Sequence, residues 1–311
     1  RLESYTPSWP LPKVFRLVSK GALENLDTYL KAQQDIKPDD FFPAAWQAYQ
    51  YQGSTYGLPN DLAVLAVAYN VNQFEVATLP APKADWTWAD YLKYARDLTQ
   101  DRDDNGRTDV WGTTICPWWQ VYVWQNGGEL VDDVQAPRRS TLSTPAAQQA
   151  LQFLADLHAK EKVAPSMSLT RGMGRVEAFA AGQVAMIYCG RWDTVQMNKM
   201  EGRWETAPLP RGRVAANLGL GSCFSIVKGA PHAQNAWKLV SFLAGNDGQK
   251  QLLAGGFSTP AREVLVHSEY FTGGLLNSGP GAFAAGLEVM RPVPFTTRYT
   301  EISNIWEQEL E

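Results

Sequence analysis

Residues Leu62-Ala63-Val64-Leu65-Ala66-Val67-Ala68-Tyr69 form a run with almost no side chain suited to water. A strand with one wet face alternates apolar and polar residues; a continuous apolar strand is buried on both faces and needs a layer on each side. Helical patterns that could supply such layers recur along the chain. Trp88–Thr99 has Thr87 as its N-cap and Asp90 in its first turn. Pro145–Lys160 starts with Thr144 at the cap and Pro145 at the first helical position. Ala233–Gly245 carries Ala236, Trp237, Leu239, Val240 and Leu243 as one stripe. Shorter helices are expected at Ala22–Ala32, Arg175–Ala181, Gln249–Ala254 and Tyr299–Leu310. Further strands are expected at Arg1–Tyr5, Lys13–Val18 and Cys223–Val227, with a turn at Tyr56–Asp61. Alternating strands and helices predict an α/β fold with mainly parallel sheets. Gly273–Gly286, rich in Gly and Ala, reads as a flexible connection.

The 311 residues suffice for two lobes. A net charge of −4 argues against a nucleic-acid partner, which calls for a basic footprint. No run of about 18 apolar residues is present, so no membrane-spanning helix is expected. Arg1 follows no charged-then-apolar leader, and the expectation is that any signal peptide has been removed. Cys116, Cys189 and Cys223 fit no zinc spacing and read as buried thiols. His158, His232 and His267 are scattered, and no metalloprotease, nucleophile-elbow or phosphate-loop motif occurs. The unusual number is 12 Trp. Most should fill the core, and the remainder suit an aromatic-lined ligand cleft.

One segment sharpens that reading. In Gly182-Gln183-Val184-Ala185-Met186-Ile187-Tyr188-Cys189-Gly190-Arg191-Trp192-Asp193, a short apolar strand ends at a glycine, and a Trp beside an Asp follows. Glycine at a strand end lets a backbone approach a ligand. An indole face with a carboxylate suits a polyhydroxylated ring. The segment resembles the "G-x-x-A-M-x-x-x-G-x-W" strand of the extracellular solute-binding proteins of family 1, the maltose-binding-protein-like sugar receptors of ABC importers. Other segments resemble the same family in order: Lys20-Gly21-Ala22-Leu23, Gly57-Leu58-Pro59 with Ala68-Tyr69-Asn70, Trp86-Thr87-Trp88, and Asn126-Gly127-Gly128. Gly219-Leu220-Gly221-Ser222, Ala236-Trp237-Lys238-Leu239 and Thr259-Pro260-Ala261-Arg262 continue it.

The resemblance implies a two-lobed periplasmic-binding-protein fold with a hinge of crossing strands. Lobe one would hold residues 1–66 and 218–285, and lobe two residues 67–217 and 286–311. It also implies hinge closure on a carbohydrate without covalent chemistry, and delivery to a membrane permease. A monomer without cofactors, at the periplasm or the outer face of the cell membrane and possibly lipid-anchored, is the matching expectation. The family's first strand and helix do not precede Arg1, and only Thr6–Pro12 separates the first two expected strands. A parallel crossover needs about a dozen residues, so part of lobe one is expected to be missing.

Candidate ligand contacts are Trp192 and Asp193, Trp118 and Trp119, Asn60 and Asp61, Gly219, Gly221 and Ser222, Arg262, and Arg298 with Tyr299. Each has a plainer reading. Asp193 could cap a helix, Asn60 and Asp61 could form a turn, Arg262 could sit in a surface ion pair, and the glycines could serve close strand packing. Two adjacent Trp on a helix point about 100° apart, so Trp118 and Trp119 cannot both face one core. Asp101, Asp103, Asn105 and Asp109 resemble the start of a calcium loop, but position twelve is Gly112 instead of the bidentate Glu. Two other functions stay open. A phosphorylated polyol could replace the sugar, with Arg262 and the turn at Gly219 as its anion site. A glycoside-processing enzyme would need a carboxylate pair, for which Asp61 and Asp193 are the candidates.

Overall fold

The computed structural model describes residues 11–33, 35–166, 172, 174–272, 281–294 and 296–310. The strand expected at Arg1–Tyr5 and the first part of the Gly273–Gly286 connection lie outside them. The chain opens with helices α1 (Leu11–Ser19), α2 (Asp27–Ala32) and α3 (Pro43–Gln47) and the hairpin β1 (Gln50–Tyr51) and β2 (Ser54–Thr55). Strands β3 (Leu58–Ala63) and β4 (Leu65–Asn70) follow, then α4 (Val71–Val76), α5 (Trp88–Leu98), α6 (Gln120–Gln125) and α7 (Pro145–Ala159). Next come α8 (Arg175–Ala180), β5 (Met186–Gly190), α9 (Arg191–Met197), β6 (Trp204–Ala207) and β7 (Asn217–Phe224). The remainder is α10 (Ala233–Ala244), α11 (Asn246–Ala254), β8 (Thr259–Pro260), α12 (Glu269–Thr272), α13 (Gly281–Glu288), β9 (Met290–Pro292) and α14 (Tyr299–Leu310).

The apolar run becomes two strands. The chain leaves a four-stranded sheet, ordered β8-β3-β7-β9, at Val64 and enters a three-stranded sheet, ordered β5-β4-β6. β4 is the central strand of the second sheet and is buried on both faces, as its composition requires. Leu65, Val67 and Tyr69 pack into one apolar cluster with Tyr91, Tyr122 and Tyr188. Val64, Ala66 and Ala68 pack into another with Phe179, Ile187 and Trp204.

The expected parallel sheets are corrected. β3 pairs antiparallel with β7 and β8, and β4 antiparallel with β5 and β6. Among the described ladders only β7 with β9 is parallel. β3 carries the chain out of the first sheet and β7 brings it back, so the two run in opposite directions without a βαβ crossover.

Other local expectations are also corrected. Lys13–Val18 is helical: Val14, Phe15 and Val18 are buried while Arg16 is exposed, a helical rather than alternating spacing. Gly21, at φ +66°, ends that helix. Ala22–Glu24 does not start the next one, because Leu23 bridges Val227 and Glu24 N donates to Ile226 O. Helix α2 therefore begins only at Asp27. The expected turn at Tyr56–Asp61 is largely strand β3, with a register shift between Pro59 and Asp61 that accommodates the proline's missing N–H. The expected strand at Cys223–Val227 lies mostly before Cys223, as β7. Helices α5 and α7 form as expected, α5 with a capping box between Thr87 and Asp90.

The passages between sheets meet at Asn217, which is 1% exposed. Its side-chain Oδ1 accepts from Leu65 N at 2.9 Å, and its Nδ2 donates to Leu65 O at 2.8 Å. Its own N–H donates to Val289 O at 2.9 Å. Helix α13 approaches closely there: a Cβ on Gly286 would lie 2.6 Å from Asn217 Nδ2. Elsewhere Gly112 presses on α5, and a Cβ there would lie 1.9 Å from Ala95 O.

Asn217→Ala would leave the Leu65 N–H and C=O unpaired in the core, with an expected loss of about 2–4 kcal/mol in urea unfolding. A loss below about 0.5 kcal/mol would show that water replaces the amide. Gly112→Ala is expected to lower stability by at least about 2 kcal/mol, because backbone rather than a side-chain end must move; an unchanged melting temperature would contradict that contact.

Candidate ligand-binding site

Two hollows in the described surface differ in what lines them. The larger, about 560 Å³, lies beside α2, with Trp46, Lys31, Lys37 and Asp27 on its wall. The second, about 390 Å³, is built from segments that meet near the strand passages. Pro117, Trp118 and Gln120 come from the start of α6, and Arg175 from the start of α8. Leu218 and Leu220 come from β7, and Val293 follows β9. Tyr299, Ser303 and Glu307 stand four residues apart along α14 and so share a face of that helix.

Orphaned polar atoms separate the two hollows. Gln120 is 8% exposed and its buried Oε1 has no hydrogen-bond partner among the described residues. The same holds for Arg175 Nε. Both residues line the second cavity, whereas no residue on the wall of the first has such an atom. Buried polar groups are rarely left unpaired, so each such atom calls for a partner; others lie away from both hollows, on Asn198, Arg191 and Arg262 among them. The second cavity also combines apolar walls with a few polar points, the usual make-up of a small-molecule site.

The Gly182–Asp193 segment supports this cavity from behind. Gly190 ends β5, and the Trp192 ring folds back over it: a Cβ at Gly190 would lie 2.1 Å from Trp192 Cη2. The glycine thus serves the indole. Trp192 meets Trp118 edge-on at 6.0 Å between centroids. Asp193 accepts from Gly190 N at 2.9 Å and forms an ion pair with Arg175, whose guanidinium lies 5.1 Å from the Trp118 ring centre. Burial pushes the Asp193 carboxyl above its ordinary value, while the Arg175 charge and the Gly190 N–H pull it back. Asp193 therefore caps α9 and holds Arg175, and does not itself line the cavity.

The other nominated residues fall into separate places. Trp118 and Tyr299 line the cavity, yet Trp118 is buried and shares one core cluster with Trp119, contrary to the expectation that the two could not; both precede α6, so helical spacing does not separate them. Trp119 packs edge-on against Trp306 at 5.6 Å, inside the core. Asn60 and Asp61 stand on β3, not in a turn. Asn60 Nδ2 donates to Ser222 Oγ at 3.0 Å, and Asp61 Oδ1 accepts from Ser222 N and Oγ at 2.7 and 2.6 Å. Burial raises the Asp61 carboxyl, opposed by those two bonds. By strand alternation Ser222 shares a face of β7 with Leu218 and Leu220. Gly219 and Gly221 lie inside the ladder, where Cβ atoms would meet Arg291 O at 2.9 Å and Asp61 O at 2.3 Å; they permit close strand approach.

Arg262 is not brought to the cavity. It is buried, donates to Asp40 Oδ2 at 2.8 Å and lies over Phe41 at 4.9 Å, so the ion pair it makes is not a surface one. Arg298 pairs with Glu301 on the exposed side of α14. Asp101, Asp103 and Asp109 do converge, with ligand atoms within 4.8 Å of one another, but all are exposed. Asp101 and Asp109 already accept backbone N–H bonds within the loop, and Gly112 at position twelve is held against Ala95. Cys116, Cys189 and Cys223 are free thiols, the first two buried and the third half-buried.

Sequence reasoning passed over Gln120, Arg175 and Glu307. The signal for Glu307 was the four-residue spacing from Tyr299 through Ser303 on the closing helix. Leu218 and Leu220 were missed by parity, since the glycines between them were chosen instead.

The fold is shared with solved solute-binding proteins. The ABC substrate-binding protein Lmo0181 from Listeria monocytogenes, in complex with cycloalternan, is 24% identical with a TM-score of 0.85, over 96% of this chain and 76% of that one. Maltose-bound MalE3 of T. maritima is 20% identical with a TM-score of 0.77, over 96% and 76%. A sequence from Brucella abortus (strain 2308) is 23% identical over 301 residues, 94% of this chain and 70% of its own length. These likenesses show a two-lobed mixed α/β fold, and no helix among the described residues is long and apolar enough to cross a membrane. The profile of the bacterial extracellular solute-binding proteins matches residues 8–250, and the chain belongs to that family.

Proposed function

We propose that the protein is the substrate-capturing component of an ABC importer and holds a carbohydrate in the 390 Å³ cavity. The observation that carries this reading is the pairing of an apolar wall, with Trp118 and Tyr299, and two orphaned polar atoms on Gln120 and Arg175. Sugar rings present apolar C–H faces and a rim of hydroxyls, which such a wall and such atoms complement. The solved relatives with cycloalternan and maltose point to the same ligand class. A di- or oligosaccharide extending from the cavity is the favoured cargo.

The lobes would be residues 1–66 with 218–285, and 67–217 with 286–311. The sheet change at Val64 and the passages at Asn217 and Val289 support that division. Closure would stabilise the liganded form by the ligand's differential affinity for the two states. The loaded monomer would then meet the permease at the periplasm or the outer face of the membrane. The cargo would leave unaltered: Asp61 is tied to Ser222 and Asp193 to Arg175, so neither stands free for acid–base work on a glycosidic bond. A phosphorylated polyol is disfavoured because Arg262 is committed to Asp40.

A thermal-shift screen over mono-, di- and oligosaccharides is expected to raise the melting temperature for a carbohydrate recovered intact. Failure of every sugar, or release of monosaccharide, would refute the reading. Trp118→Ala is expected to weaken binding by about 2–4 kcal/mol in calorimetry; the ring is buried in the core, so the variant should also lose about 3–5 kcal/mol of stability, which a melting curve separates from the binding loss. Unchanged affinity would remove Trp118 from the site.

A further inference from the structure

The charges around the cavity are unequal. Among the described lining residues the only formal charges are Arg175 and Glu307. Arg175 is already matched by Asp193, which lies behind it. Glu307 has no ion pair among the described residues; its recorded partner is the neutral Ser303, whose Oγ donates to Glu307 Oε1 at 3.3 Å. Its charge also reaches Tyr299 on the preceding turns, where it joins burial in raising the phenol. The cavity thus keeps one uncompensated carboxylate. Gln120 lines the same cavity as a neutral amide and adds no charge to it. A second carboxylate, Asp61, stands bonded to Ser222 two residues beyond Leu220 on the same face of β7.

We infer that the site selects its carbohydrate by charge: it takes neutral and amine-bearing sugars and rejects acidic ones, with Glu307 as the specificity-determining residue. This inference rests on the carbohydrate reading above. An ammonium group is all donor and suits the Glu307 carboxylate, while a hydroxyl can donate to the same atoms. A uronate or phosphate would set its negative charge beside Glu307 with no free cation to meet it, since the Arg175 charge is spent on Asp193. Discrimination then comes from repulsion as much as from contact.

The test compares maltotriose, a glucosamine trimer and a galacturonate trimer by calorimetry at low ionic strength, with the wild-type protein and Glu307→Gln. Glu307 is exposed, so the variant should fold, and its melting curve verifies that. In the wild type the galacturonate trimer should bind at least about tenfold more weakly than the neutral trimer. In Glu307→Gln, relative to maltotriose, the acidic trimer should gain and the amino trimer lose about tenfold each. An equal change for all three would make Glu307 a hydroxyl acceptor without a role in charge selection. Tighter binding of the acidic trimer by the wild type would overturn the inference and leave the carbohydrate reading intact. No binding by any of the three would defeat the inference, and failure of the wider sugar screen would defeat the carbohydrate reading with it.

Discussion

The carboxamide of Asn217 bonds both backbone groups of Leu65, and the arrangement of the two sheets depends on that contact. A strand that switches sheets must break its ladder at the switch, which strands an N–H and a C=O in the core. One side-chain amide, with a donor and an acceptor at the right separation, replaces both missing partners. The same residue's backbone binds Val289, so three stretches of chain are pinned at one buried point. Gly286 clears the space for this, since any side chain there would collide with the amide.

From that point the site follows by geometry. β7 starts at Asn217 and runs Leu218 and Leu220 along the cavity wall. β9 pairs beside it and delivers Val293, then α14 with its row Tyr299, Ser303 and Glu307. The opposite wall comes from the second sheet's attachments, where Gly190 lets Trp192 fold back and brace Trp118. Asp193 holds Arg175 in place, and Arg175 presents an unused Nε–H. A supporting carboxylate behind an arginine fixes its orientation and also neutralises it.

Much of this was legible in the residues. The two-faced burial of β4 was written in an uninterrupted apolar run, and the capping box at Thr87 and Asp90 fixed the start of α5. Trp118 stood out as one of two adjacent tryptophans, and Tyr299 as a residue near the late return of the chain. What was not legible depends on contacts remote in sequence. Lys13–Val18 fits either period, and only packing chose the helix. Ala22–Glu24 has helical composition, yet pairing with residues more than two hundred positions away made it extended. Strand direction was misjudged because the chain shuttles between sheets instead of winding through one. The fates of Asp193 and Arg262 turned on partners, Arg175 and Asp40, that no local pattern announces.

The alternation along β4 has a consequence for how the molecule assembles. One side carries Leu65, Val67 and Tyr69, and the other Val64, Ala66 and Ala68. A slip by a single position would drive the bulky set into the space shaped for small groups and leave the roomier side hollow. Both errors arise together, so the wrong alignment is penalised twice. The strand works like a key cut differently on its two edges: its teeth admit one insertion between β5 and β6.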